Sequence, residues 1–316
     1  MDNKTEDGKP ALAIFGTGLI GCSMAEGLRD MVSEIIGVDN NSAHLQEALY
    51  RGMIDRSMSA GNAAAYAGII VIAVPVDATI ELLSMILDRA DENAVVIDAG
   101  SIKGAICRSV ADHPKRKQFV AAHPMAGLAL SGPDASDARL FRNKKVIVCE
   151  KENSSDHALL TALDVFKRLG MELVYMAPEV HDMYVARVSH LPQVLAYCLS
   201  AINSEKISGS RPAYQSPERI EVKDYNEKNE KSVGAESAVS IASTGYESAT
   251  RLASSPADMW IPILNHNRLN VTGSLDEMIA GLTDIRDMIS KGDWESLEKI
   301  IDKANMSREH FISVYK

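Results

Sequence analysis

Ala11-Leu12-Ala13-Ile14-Phe15-Gly16-Thr17-Gly18-Leu19-Ile20-Gly21 is the stretch on which the fold of this chain turns. A short apolar run meets glycines spaced G-x-G-x-x-G, and an amphipathic segment from about Ile20 to Met31 follows. The pattern predicts a buried strand, a tight turn and a helix whose first N–H groups stay open for a dinucleotide pyrophosphate. Gly16 serves the turn, Gly18 the close approach of phosphate and Gly21 the packing of helix on sheet, with Leu19 and Ile20 in the same loop. A second strand, Ile35 to Val38, ends on Asp39, 18 residues after Gly21. A carboxylate there accepts a ribose hydroxyl and repels a 2′-phosphate. The residues after it are Asn40 and Asn41 rather than arginine, so NAD is the expected cofactor. The alternative is a glycine turn in some other α/β protein, with Asp39 an ordinary strand end.

Outward from that unit, short apolar runs alternate with longer amphipathic ones. Strands are predicted at Ala11 to Phe15, Ile69 to Val74, Val95 to Asp98, Phe119 to Ala122, Lys145 to Cys149 and Glu172 to Tyr175. Helices are predicted near Ala78 to Leu87, Lys103 to Ala111 and Ser155 to Leu169. Strands apolar on both faces need helices on both sides, so the expectation is an α/β domain with a Rossmann-type, mostly parallel sheet over residues 1–177. From Pro178 only helical periodicity remains, giving an all-α C-terminal domain over 178–316. Its first helix should start at Pro178 and kink near Val188, because Pro192 cannot complete the hydrogen-bond ladder. Residues 203–237, rich in Lys, Glu, Ser and Asn, read as a mobile insertion. Helical patterning resumes near Val239, and His266 to Ile289 and Trp294 to Ala304 read as paired amphipathic helices.

With 46% hydrophobic and 24% charged residues among 316, wholesale disorder is excluded. The net charge of −10 disfavours nucleic acid and anionic membranes as partners, leaving a small-molecule substrate. No apolar run approaches the roughly 20 residues that cross a bilayer, and the polar N-terminus is not a signal peptide. Cys22, Cys107, Cys149 and Cys198 are scattered, as in a reduced, cytoplasmic protein. No metal-ligand spacing occurs among the histidines and cysteines.

Ligands of an open α/β sheet bind beyond the carboxyl ends of its strands. There the chain places Val74-Pro75-Val76-Asp77, Asp98-Ala99-Gly100-Ser101-Ile102-Lys103 and His123-Pro124-Met125-Ala126-Gly127. Val74, Pro75 and Ser101 are cofactor-side candidates. A neutral His123 imidazole can take a hydroxyl proton as hydride leaves the same carbon, and Ser101 could hold that ring through one nitrogen. The plainer readings are a capping or core histidine and a helix N-cap serine.

These motifs, with Gly132, His181-Asp182, Ser189-His190-Leu191-Pro192, Thr250-Arg251, Met259-Trp260 and Asn267-Arg268, resemble the prephenate and arogenate dehydrogenase family in family order. The resemblance implies NAD-dependent oxidative decarboxylation of prephenate to 4-hydroxyphenylpyruvate in tyrosine biosynthesis, with His123 polarising the ring hydroxyl. It implies a substrate site holding Arg251 as carboxylate clamp with His181, His190 and Trp260, and a homodimer through the C-terminal helices. Without it, Arg251 would read as a surface or salt-bridging arginine, His190 as a packed histidine and Trp260 as core. Gln193 stands where some prephenate enzymes carry a second histidine, and Ser248 replaces an acid common three residues before the arginine. Arogenate or a 4-amino analogue therefore stays open as substrate. The family often carries a fused mutase or regulatory module, and control through one is not expected here. Two other functions keep the same fold: a β-hydroxy acid dehydrogenase, whose base is usually a lysine of the helical domain, and a non-catalytic NAD sensor, which needs neither His123 nor Arg251.

Overall fold

The computed structural model describes residues 8–128, 130–203 and 241–315. Strands β1 (Leu12–Phe15), β2 (Ile35–Val38), β3 (Arg56–Ser57), β4 (Ile69–Ile72), β5 (Val95–Asp98), β6 (Phe119–Pro124), β7 (Lys145–Cys149) and β8 (Glu172–Met176) form one sheet. Its order is β3-β2-β1-β4-β5-β6-β7-β8. The first six strands are mutually parallel, β7 runs antiparallel to β6, and β8 is parallel to β7. The two-residue β3 carried no strand pattern in the sequence.

Alternation decides which layer each strand residue joins. Ala13 and Phe15 of β1, Ile70 and Ile72 of β4 and Val96 of β5 enter one core. Leu12, Ile14, Ile69, Val71, Val95 and Ile97 enter the other. Both faces are sealed, which explains why these strands read as continuous apolar runs. Helices α1 (Leu19–Leu28) and α6 (Asp156–Arg168) supply the second core, while α3 (Ala60–Tyr66), α4 (Val76–Arg89) and α5 (Gly104–Ser109) supply the first. Between β2 and β3 lies α2 (Ser42–Tyr50), capped by the Asn41 side chain on the Ala43 and His44 N–H groups.

β8 ends at Met176, and helices α7 (Pro178–Val185) and α8 (Leu191–Ile202) follow. The break expected near Val188 takes the form of a π turn, Ala186–His190. Pro192 lacks the N–H that would bond to the carbonyl of Val188, so widening one turn re-registers the ladder ahead of it. Beyond residue 240 come α9 (Thr244–Thr250), a 3₁₀ turn at Arg251–Ser254 and α10 (Ala257–His266). All these pack in the first of two compact units, whose division falls between Asn267 and Arg268. The second unit is a pair of helices, α11 (Arg268–Lys291) and α12 (Trp294–Tyr315). Apart from Asn203, the expected mobile insertion lies outside the described residues, as does Val239.

Candidate active site

The chain leaves β1 toward β2 on one side, while β4 leads to β5 on the other, so a crevice opens at the carboxyl ends of β1 and β4. The glycine loop forms one wall. Gly16 has φ +95°, and a Cβ there would overlap the Ala73 carbonyl oxygen; a Cβ on Gly21 would overlap the Gly16 carbonyl oxygen. At Gly18, by contrast, nothing occupies the space a Cβ would enter. Helix α1 begins on Gly18 with no side-chain cap and no acid in its first turn. Its leading N–H groups face that gap unpaired by any side chain, so a pyrophosphate fits it in both shape and charge.

Asp39 closes the same loop. The Thr17 N–H donates to its Oδ2 at 2.7 Å, the Thr17 hydroxyl to the same oxygen at 3.0 Å, and the Asn41 N–H to Oδ1 at 2.8 Å. The carboxylate thus braces the glycine turn and keeps a negative charge at the end of β2. Opposite, Val74 is half-buried and Pro75 exposed, and the Thr79 hydroxyl donates to both of their carbonyls.

The other end of the crevice is built on β6. Ile97 faces Val120 in register, so β5 finishes at Asp98 while β6 continues to Pro124, carrying His123 past its neighbour. Two buried charges hold this extension. The Lys103 ammonium, fully buried, pairs with the equally buried Asp98 carboxylate and donates to the Ala122 carbonyl at 2.6 Å. Asp98 Oδ1 accepts from the Ala122 N–H at 2.8 Å. Both backbone groups of the residue before His123 are therefore clamped.

His123 itself is 8% exposed, buried but not sealed. Its Nδ1 lies 2.8 Å from His181 Nε2, and His181 Nδ1 lies 2.8 Å from Asp182 Oδ1. Asp182 also accepts the Lys103 N–H at 2.8 Å and the Gly104 N–H at 2.9 Å, capping α5 from another helix. Burial, then the neighbouring His181, Lys103 and His190, holds the His123 pKa well below its ordinary 6.5. Burial lowers His181 as well, against the pull of Asp182. For Asp182 burial works upward, but the bonds from His181, Lys103 and Gly104 hold it below the usual carboxylate range.

Two expectations change here. His181, expected to touch substrate, has no exposed surface and stands behind His123 instead. Ser101, expected to hold the imidazole, does not do so: Nδ1 is taken by His181, and the half-buried Ser101 hydroxyl has no hydrogen bond among the described residues. Nor is Ser101 the N-cap of α5, which is Lys103. Sequence reasoning assigned no role to Asp98, Lys103, Asp182 or Asn267, although it quoted all four within motifs.

Across the crevice, His190 in the π turn is buried, and burial pushes its pKa down to about 4. Its Nδ1 lies 3.2 Å from Asn267 Nδ2, which also donates to the Asp182 carbonyl at 2.7 Å. The Trp260 ring meets His190 edge-on with centroids 5.7 Å apart; Trp260 belongs to the core, yet its Nε1 has no hydrogen-bond partner. The guanidinium of Arg251 is exposed. The 3₁₀ turn that carries it is held on α8 by Gln193, whose amide donates to the Leu252 carbonyl at 2.6 Å, and by the Tyr197 hydroxyl on Ser255 O at 2.8 Å.

Comparison with known proteins adds to this geometry. The family model described as "Prephenate dehydrogenase, nucleotide-binding domain" matches residues 24–175, and "Prephenate dehydrogenase, dimerization domain" matches 219–303. The chain belongs to the prephenate/arogenate dehydrogenase family. Over 307 residues it is 29% identical to the prephenate dehydrogenase of Bacillus subtilis (strain 168), covering 95% of this chain and 76% of that one. It is 26% identical to the cyclohexadienyl dehydrogenase of Zymomonas mobilis subsp. mobilis, covering 94% of each. The crystal structure of Aquifex aeolicus prephenate dehydrogenase with hydroxyphenyl propionate and NAD+ matches with a TM-score of 0.79 at 25% identity, over 95% of this chain and 98% of that one. This family member is an NAD-dependent oxidoreductase.

The two glycines make separable expectations. Gly18→Val enters open space and should leave the melting temperature close to the parent's while weakening NAD binding by about tenfold or more, read by nicotinamide or tryptophan fluorescence. Gly21→Ala drives a methyl into backbone and should lower stability by about 1–3 kcal/mol, read by denaturant unfolding. Equal NAD affinity for the Gly18 variant and the parent would remove the pyrophosphate from that gap.

Proposed function

We propose that this enzyme oxidatively decarboxylates prephenate to 4-hydroxyphenylpyruvate with NAD. One observation carries the reading: an imidazole extended beyond β5, its Nδ1 held and its Nε2 without a protein partner among the described residues, stands on the same sheet edge as the pyrophosphate cradle. Bound NAD supplies the hydride acceptor. His123 Nε2 takes the proton of the ring hydroxyl while hydride departs from the carbon that bears it. The ring carboxylate then leaves as carbon dioxide, its bond pair completes the aromatic ring, and the phenolate oxygen takes the proton back from Nε2. The protein only has to position and polarise, because aromatisation supplies the driving force. The cofactor contacts are Gly16, Gly18, Leu19, Ile20 and Gly21 on the pyrophosphate side, Asp39 on the ribose, and Val74, Pro75 and Ser101 toward the nicotinamide. In a chain of net charge −10 a dianionic substrate needs a local cation, and Arg251, exposed on a turn tied to α8, is the residue we assign that role. His190 and Trp260 back the pocket.

Arogenate is the second reading, favoured by Ser248 ahead of Arg251 and by likeness to a cyclohexadienyl dehydrogenase. Purified protein offered prephenate, arogenate and a 4-amino analogue, each with NAD and NADP, should reduce NAD fastest with prephenate. His123→Asn should lower kcat by about 10²–10⁴-fold with NAD still bound. Comparable rates in the two proteins would remove His123 from the chemistry, and the substrate ranking decides between the readings.

The pH dependence follows from the environment of His123. A base works only unprotonated, and burial lowers the pH at which this one protonates. Activity should therefore hold level from neutral pH downward and fall only below 6.5. A kcat/KM profile whose acid limb centres above neutrality would contradict a buried neutral base.

We place residues 1–177 with the nucleotide and 178–316 with substrate and a second subunit, and propose a homodimer. Ile279, Leu282 and Ile289 on α11, and Ile301 and Phe311 on α12, leave apolar faces exposed on a two-helix unit too small to bury them alone. Light scattering at micromolar concentration should give twice the chain mass of 34.3 kDa, and a single-chain mass would exclude the dimer. Among the described residues no helix is long and apolar enough to cross a membrane, and the four thiols are free. We infer a cytoplasmic location from the latter.

A further inference from the structure

We propose that His181 and Asp182 are positioning residues which fix His123 in the tautomer protonated at Nδ1, so that the lone pair sits on Nε2 and faces the substrate hydroxyl. The inference rests on the reading of His123 as the base and deepens it.

The far end of the chain of hydrogen bonds sets where each proton lies. Asp182 accepts the N–H groups of Lys103 and Gly104, so its carboxylate is held as an ionised acceptor with no proton to give. The proton between Asp182 Oδ1 and His181 Nδ1 therefore belongs to His181. A neutral imidazole protonated at Nδ1 has its lone pair on Nε2. Across the 2.8 Å contact with His123 Nδ1, His181 Nε2 is then the acceptor, and His123 must be the donor. That leaves His123 Nε2 as the basic nitrogen. Each step is fixed by the one before, and the first is fixed by backbone amides, which do not titrate.

The neighbours on every side are compatible with that assignment. From α7 come His181 and Asp182; from β5 and the turn after it come the ion-paired Asp98 and Lys103, of which Lys103 disfavours a second proton on His123; from the π turn comes His190, buried and neutral at ordinary pH. When His123 takes the substrate proton, its positive charge lies one imidazole away from the Asp182 carboxylate. The Nδ1–H bond to His181 holds the ring plane throughout, with the two rings meeting at 70°.

Two substitutions separate positioning from bulk. His181→Asn places an amide where Nδ1 was, keeping Asp182 within reach and losing His123. His181→Gln extends an amide to the Nε2 position, where its carbonyl can accept the His123 Nδ1–H. The first should lower kcat by about tenfold or more with KM and NAD affinity within about twofold; the second should stay within about threefold of the parent. An undiminished His181→Asn enzyme, or equal losses in both variants, overturns the proposal. Nitrogen-15 NMR of imidazole-labelled parent protein at neutral pH needs neither variant to fold. It should show both rings protonated at Nδ1, and an Nε2-protonated His123 overturns the proposal. The two readings fail separately: a parent inactive on prephenate, arogenate and the 4-amino analogue sinks the reaction, while the tautomer is still read by NMR.

Discussion

The buried ion pair between Lys103 and Asp98 is the constraint from which the reactive end of the sheet is built. Both groups are fully buried, and taking two charges out of water costs several kcal/mol each unless attraction and hydrogen bonds offset it. Here the offset is structural. Asp98 accepts the Ala122 and Gly100 N–H groups, and Lys103 donates to the Ala122 carbonyl, so the charges also satisfy the backbone where β6 outruns β5. A strand that continues past its neighbour would otherwise leave buried N–H and C=O groups unpaired on that side. A hydrophobic pair of equal volume would fill the space and leave those backbone groups orphaned. The pair is thus better understood as what holds a histidine in place than as a source of stability.

The cofactor end obeys a different rule, that of vacancy. Gly16 and Gly21 are glycine because backbone stands where their side chains would be, whereas the space beside Gly18 is open, as the proposed pyrophosphate contact requires. Asp39 joins the two ends of the nucleotide site, since the carboxylate that suits a ribose also fixes Thr17 in the turn. On the proposed reading loop geometry and preference for an unphosphorylated ribose are one feature, and a substitution at Asp39 that admitted a 2′-phosphate would also loosen the turn.

Most of the sheet was legible because its strands are apolar on both faces and bounded by turn residues. Six of its strands stood out in this way, the largely exposed β8 stood out only as a short β-prone run, and β3 not at all, since two exposed residues carry no periodicity. The kink after α7 was legible from Pro192, although the proline acts four residues upstream, through a π turn instead of a simple bend. The role of His181 was not legible. Its bond to His123 spans 58 residues of sequence and depends on α7 lying against the end of β6, a tertiary fact that no local spacing encodes. The same holds for Asp182, whose contacts with Lys103 and Gly104 cross 79 and 78 residues. The family resemblance put His181 against substrate and gave Asp182 no role, and a serine near a strand end was the natural guess for a partner that turned out to be a histidine.

The two halves of the crevice meet in their treatment of charge. The cofactor loop offers oriented N–H dipoles that attract an anion, whereas the reactive end gathers three buried histidines, a lysine and two carboxylates, of which the lysine pairs with one. Lys103 is matched by Asp98, leaving Asp182 as the uncompensated charge beside a pair of neutral rings. In a low-dielectric surrounding that single carboxylate favours any state in which a ring gains a proton, the state general base catalysis passes through. Burial opposes the same state, and with the neighbouring His181, Lys103 and His190 it holds the His123 pKa well below 6.5. On the proposed reading, a base of this kind captures protons from water poorly and acts only when the substrate hydroxyl becomes acidic as hydride leaves. On that reading reactivity is confined to the moment of transfer, at a histidine on the rim of a sealed sheet.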